Sequence, residues 1–174
     1  MALYRTLLVP FDDSPAASAG LDEAIRIASE CGARLHIMNV VDDTAFRSNA
    51  DGDETEAATD ALRHVVTEGG ERVLRHAKAR ASAAGVAADV VLVHSGGTPL
   101  QAIVAEQAED SHADLIVLGT HGRRNLSRLF MSSDDQHLLN IVGVPVLLVR
   151  SKEVGPDLSV VELTASDSMF MPAP

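Results

Sequence analysis

At 174 residues, 46% of them hydrophobic, the chain is long enough to bury the core of one compact domain. Aromatic residues make up only 3% and tryptophan is absent, so the core has to be built from Val, Leu, Ile and Ala packed between layers, which favours an α/β sandwich. Fourteen Lys and Arg against 25 Asp and Glu leave a net charge of −11, which repels nucleic acid and anionic lipid over most of the surface and excludes a general nucleic-acid binder.

The opening MALYRTLLVP holds too short an apolar run for a secretory signal, and no window reaches the roughly 18 apolar residues of a membrane span. A soluble, cytoplasmic protein is expected. The first strand is predicted over Thr6 to Phe11, TLLVPF. A helix follows at DDSPAAS: Ser14 suits the cap and Pro15 the first helical position, Leu21, Ala24, Ile25 and Ala28 mark a buried face, and Gly32 stops it. Cys31 has no partner for an internal disulfide, which suits a reducing compartment, and beside Gly32 it reads as a small packing residue. The second strand is Arg34 to Val41, RLHIMNVV.

Asp42 to Asp60 then carries seven acids (Asp42, Asp43, Asp51, Asp53, Glu54, Glu56, Asp60) against one base, Arg47, and reads as a solvated, mobile insertion. Its spaced aspartates lack the rest of an EF-hand. A second helix is expected from about Thr55 to Ala84, with Leu62, Val66, Val73, Leu74 and Ala77 on its inner side and Gly69-Gly70 as a point able to break it. The third strand is Asp89 to His94. The glycine-bearing turn HSGGTP leads into a third helix, capped by Thr98 and burying Leu100, Ile103 and Val104; the turn is a candidate second wall for a pocket. Asp114 to Gly119 supplies a fourth strand, about Ser133 to Val142 a fourth helix, and Val144 to Val149 a fifth strand. The tail from Ser151, with Gly155-Pro156 and a Met-Phe-Met cluster, is expected to be partly disordered or laid across a partner subunit.

Apolar runs on successive positions, alternating with helices through short connections, describe a doubly wound five-stranded parallel sheet of order 3-2-1-4-5 with helices on both faces, Rossmann-like. No internal repeat is present. Ligands of such sheets bind beyond the carboxyl ends of the strands where the order reverses, between Asp12 and Gly119. From the residues alone Asp12 is either a ligand acceptor or a helix cap, and the cap is the simpler reading.

The blocks LLVPFDDSPAA, LHIMNVVDD and GTHGRRNLSRLFMSSDDQHLLNIVGVPVLLVR, in that order over Leu3 to Arg150, resemble the universal stress protein family. That family's loop reads Gly, two residues, Gly, nine residues, Gly, then Ser or Thr. Gly119 and Gly122 match the first two glycines, Ser132 replaces the third, Ser133 matches the hydroxyl, and Asp134 replaces an apolar residue. In nucleotide-binding members, the resemblance implies, Asp12 and the backbone at Val40 hold adenosine and the loop holds the phosphates, with Arg123, Arg124 and Arg128 adding positive charge. It also implies a homodimer through the last strand, Val144 to Val149, whose open apolar edge invites pairing.

A helix start attracts phosphate and carboxylate alike. In SSDDQ, Ser133 and Gln136 form a capping-box pattern while Asp134 and Asp135 complement the dipole, so the donors are already occupied. The lost glycine, about 1 kcal/mol, and an aspartate some 6 Å from phosphate, about 2 to 3 kcal/mol, together weaken ATP by roughly 10- to 1000-fold. The opposing reading lets Asp134 or Asp135 hold Mg²⁺ on a triphosphate. His121 lacks a nucleophile beside it, and His36, His64, His76, His94, His112 and His137 lack metal-ligand spacing. The expected function is therefore a stress-response regulator acting by partner or small-ligand binding, with a degenerate adenine-nucleotide site and no strong catalysis. The alternatives are an ATP-occupancy switch with slow hydrolysis or autophosphorylation, and a flavin or nucleotide enzyme on the same architecture.

Overall fold

The computed structural model describes residues 3–44, 56–120 and 141–151. The residues 45–55, 121–140 and 152–174 lie outside the described residues, and with them most of the acidic insertion, most of the expected fourth helix and nearly all of the tail. The elements are β1 (Thr6–Pro10), α1 (Pro15–Cys31), β2 (Arg34–Val41), α2 (Glu56–Ala83), β3 (Ala88–His94), α3 (Leu100–Asp110), β4 (Leu115–Thr120) and β5 (Val146–Arg150). The strands form one parallel sheet in the order β3-β2-β1-β4-β5, the order expected from the sequence.

Side-chain alternation along the strands divides the core in two. Leu7, Val9, Leu35, Ile37, Leu115 and Val117 face α1 and α2 on one side. Leu8, Met38, Ile116 and Leu118 face α3 on the other, through Ile103, Val104 and Ala108. The central strands β1 and β4 are buried along their whole length, whereas the edge strands β3 and β5 are half-exposed because each lacks a neighbour on one side.

Helix α1 begins as its sequence dictates. The Ser14 Oγ accepts from the Ala17 N–H at 3.1 Å, Pro15 is the first helical residue, and Gly32 ends the helix at φ 66°. It crosses β4 with backbone against backbone: a Cβ placed on Gly119 would lie 1.8 Å from the Ala16 carbonyl oxygen, and one placed on Gly20 would lie 2.8 Å from the Gly119 nitrogen. No side chain fits between them.

Expectations for two helices are corrected. Helix α2 is unbroken through Gly69-Gly70, because a Cβ on Gly70 would strike Leu92 Cδ1 at 2.5 Å and Asn39 Oδ1 at 2.9 Å; the glycine brings the helix onto the sheet instead of ending it. Leu62 is 50% exposed and not on the inner side. Gly70 already sits over Val41 and Leu92, near the carboxyl ends of their strands, so the turns before it run past the sheet, and the buried face is carried by Gly70, Leu74, Ala77 and Ala81. The second correction concerns α3. Thr98 does not cap it; Pro99 occupies the cap position without a side-chain bond, its carbonyl accepting from Ala102 and Ile103, while the Thr98 N–H closes a turn onto the Ser95 carbonyl. Gly96 and Gly97, at φ 55° and 88°, make that turn possible.

The ends of β2 and β3 are tied together by the first two acids of the acidic stretch. Asp42 Oδ1 accepts from the Thr44 N–H at 3.0 Å and from its hydroxyl at 2.6 Å. Asp43 Oδ1 accepts from the Gly96 N–H at 2.8 Å, and His94 lies 4.0 Å from its other oxygen. At the opposite end of the sheet, Asp114 accepts from the Arg5 and Thr6 N–H groups at 2.9 and 3.1 Å, pinning β4 to β1.

Gly119→Ala is expected to destabilise the protein by about 3 kcal/mol or more, read by urea unfolding, since α1 has to lift off β4. Hydrogen bonding from Gly96 holds the Asp43 carboxyl below its ordinary value of 3.8, so the folded state binds that proton less readily than the unfolded chain. The clamp's contribution is therefore complete above about pH 4 and lost as the pH falls through the lower folded value. Asp43→Ala should lower stability at neutral pH by about 1 kcal/mol and flatten the acid limb of the stability profile.

Candidate functional site

The carboxyl end of β1 turns into α1 through Phe11, Asp12, Asp13 and Ser14. Phe11 is buried, and its N–H donates to the Met38 carbonyl at 2.8 Å while its own carbonyl accepts from Asn39 Nδ2 at 2.7 Å. Those two bonds lock the turn to β2. Asp12 Oδ1 accepts from the Ser14 N–H at 3.0 Å, so the carboxylate does help to start the helix.

Its second oxygen, Oδ2, is buried and has no hydrogen-bond partner among the described residues. A buried carboxylate oxygen without a donor carries a desolvation cost of about 1 to 3 kcal/mol or more, which a ligand hydroxyl or N–H would relieve. Asp12 opens onto a cavity of about 410 Å³ whose walls include Phe11, Met38, Val40, Val66, Gly69 and Val73, and onto an adjoining one of about 620 Å³ lined by Asp13, Ser14, Arg72 and His76. The first is the more apolar and the second the more polar.

Asp13 adopts φ 60°, a left-handed conformation uncommon for a side-chain-bearing residue and least costly for Asp and Asn. The turn presents its carboxylate to His76, whose Nδ1 lies 3.0 Å from Asp13 Oδ1. One turn further along α2, Arg80 ion-pairs with Asp22, donates to Ser18 Oγ at 3.2 Å and lies 6.0 Å from the centre of the Phe11 ring. These contacts hold α2 against the β1–α1 turn as the far wall of both cavities.

Of the residues singled out in the sequence, Asp12 and Val40 share one cavity. Gly119 has a packing reason for lacking a side chain, the contact with Ala16, whatever lies beyond it. Gly122, Arg123, Ser132, Ser133 and Asp134 lie outside the described residues, as do Arg124, Arg128, His121 and His137. The turn HSGGTP does not line the cavity; Leu100 just after it does. Sequence reasoning missed Phe11, Asn39, Asp13 and the α2 wall of Gly69, Arg72 and His76. Val66 and Val73 carried a signal, apolar spacing on a helix, but it reads the same for a core face and for a pocket wall. Among the described residues, no three His, Cys, Asp or Glu side chains gather where they could hold a metal ion. No described helix is long and apolar enough to cross a membrane.

Residues 3–150 match the universal stress protein family. A universal stress protein of Methanocaldococcus jannaschii is 31% identical over 148 residues, which cover 85% of this chain and 83% of the relative. Among solved structures, a universal stress protein family member from Burkholderia pseudomallei superposes with a TM-score of 0.66 at 31% identity, covering 86% of this chain and 98% of the other. Another universal stress protein, solved in complex with cAMP, gives a TM-score of 0.60 at 26% identity over 87% of this chain and 99% of its own. The match runs through the whole sheet and through both residues that meet at the cavity, Asp12 and Val40: the chain belongs to the universal stress protein family.

Proposed function

We propose that this protein is a stress-response regulator that recognises the adenosine half of an adenine nucleotide, gains little from a triphosphate, and acts through partner binding with no strong catalysis of its own. The observation that carries the reading is the buried Oδ2 of Asp12, without a hydrogen-bond partner among the described residues, on a residue that lines a largely apolar cavity at the carboxyl end of the sheet. A ribose hydroxyl supplies the missing donor, and a planar base suits the apolar walls. The cAMP bound by a structural relative is a ligand of that chemical class. The weak phosphate half is argued from Ser132 and Asp134, where a glycine and an apolar residue would leave the helix start open to an anion.

Calorimetric titration with AMP and with ATP plus Mg²⁺ tests this. The wild type should bind both within about tenfold of each other, and Ser132→Gly with Asp134→Val should tighten ATP by roughly 10- to 1000-fold and leave AMP unchanged. Asp12→Ala should weaken both by about 10- to 100-fold, with a thermal midpoint measured alongside because the same residue helps to start α1. Wild-type ATP binding much more than tenfold tighter than AMP would favour the occupancy switch instead.

The homodimer through β5 belongs to the same reading. It is supported by the strand's place at the sheet edge and by Leu148, which is 45% exposed there. Light scattering should give the mass of two chains for the wild type at micromolar concentration and of one for Leu148→Lys.

A further inference from the structure

Gly69 and Gly70 stand side by side within the 28-residue helix α2, although glycine is a poor helix former, second only to proline. Packing accounts for Gly70, whose position leaves no room for a Cβ between Leu92 and Asn39. It does not account for Gly69. A Cβ built there meets nothing within 4 Å among the described residues, and the backbone is ordinary helix, so alanine would fit and would strengthen the helix.

What Gly69 does border is the cavity of about 410 Å³, together with Val66, Gly70 and Val73, which recur on one face of α2 at helical spacing. The wall opposite is made by Phe11, Met38 and Val40 at the ends of β1 and β2. His76 marks the other end of this stretch of helix, where it meets Asp13. Seven residues separate Gly69 from His76, about 10 Å at 1.5 Å per residue, a span on the scale of a nucleoside whose sugar sits at Asp12.

We infer that Gly69 is a specificity-determining residue of the cavity: its bare backbone leaves the space in which a planar purine base lies between α2 and the carboxyl ends of β1 and β2. The inference rests on the adenosine reading above and names the helix position that makes room for the base. A side chain at 69 would project into that space, and a leucine would take the volume the ring needs. The position therefore trades helix stability for ligand room, and the two can be separated by measurement.

The test uses the full chain and four variants, Gly69→Ala, Gly69→Leu, Gly70→Ala and Lys78→Leu, each followed by thermal unfolding and by calorimetric titration with AMP. Lys78 is exposed on the same helix and does not line the cavity. Gly69→Ala should raise the melting temperature by about 2 to 4 °C, and Gly69→Leu should melt no lower than the wild type yet bind AMP at least about 100-fold more weakly. Gly70→Ala should melt lower, and Lys78→Leu should bind AMP as the wild type does. AMP binding by Gly69→Leu within about threefold of wild type overturns the inference alone and leaves the adenosine reading standing. So does a melting temperature for Gly69→Leu lowered as far as that of Gly70→Ala, which would make Gly69 a packing glycine. A wild type that binds none of AMP, ATP or cAMP overturns the adenosine reading and this inference with it.

Discussion

The close approach of α1 to β4 sets the position of everything at the carboxyl end of the sheet. With Ala16 and Gly20 laid directly on Gly119, the helix is held at a distance that only backbone atoms occupy. Its first turn is thereby fixed at the crevice between β1 and β4, the two central strands at which the order of the sheet reverses. Packing of this kind is not continuously adjustable: interiors are dense, and a single added methyl moves a whole helix. The glycine that opens the family's loop motif is thus required by the fold before any ligand is considered.

From that fixed start the chain divides one carboxylate between two tasks. Asp12 gives one oxygen to the Ser14 N–H, and the other is buried without a partner among the described residues. The bond from the Ser14 N–H holds the carboxylate at the start of α1, on a residue that lines the cavity, which lowers the ordering cost of binding there. The α2 wall is preorganised by similar means. Arg80 with Asp22 and Ser18, and His76 with Asp13, fasten the helix to α1 and to the turn that follows β1. Asp43 with Gly96 fastens the ends of β2 and β3 below it. All of these contacts are polar and partly exposed, and each is individually modest, but together they surround a cavity that the apolar core alone would not keep open.

How much of this was legible in the sequence depended on the range of the interaction. Ser14, Pro15 and Gly32 announced the ends of α1 because caps act within one turn, and the structure has all three in those roles. Runs such as LLV and LIVL announced buried central strands because both faces of β1 and β4 are covered. Thr98 misled because a threonine before proline suits a cap in isolation, while here the backbone of the HSGGTP turn and the Pro99 carbonyl take over the role. Leu62 misled because helical spacing marks a face but not where the sheet beneath it ends. The two glycines of α2 looked like a break because local propensity sees only their cost.

The amino-acid sequence by itself determined the alternation of strand and helix, the order of the sheet, the family, and the candidacy of Asp12 and Val40. The alternation follows from periodicity and short connections, and Asp12 from its place at a strand's carboxyl end, whereas the family and Val40 come from the resemblance of the motif blocks. Only the tertiary structure decided that α1 and β4 meet backbone to backbone at Gly119, that Gly70 lets α2 press onto the side chains of the sheet, that Asp12 keeps one oxygen without a partner among the described residues, and that α2, some 60 residues further along the chain, lines the same cavity. Such relations depend on distances between elements that are remote in sequence, and those distances are set by the packing of the whole core, which no window of residues contains.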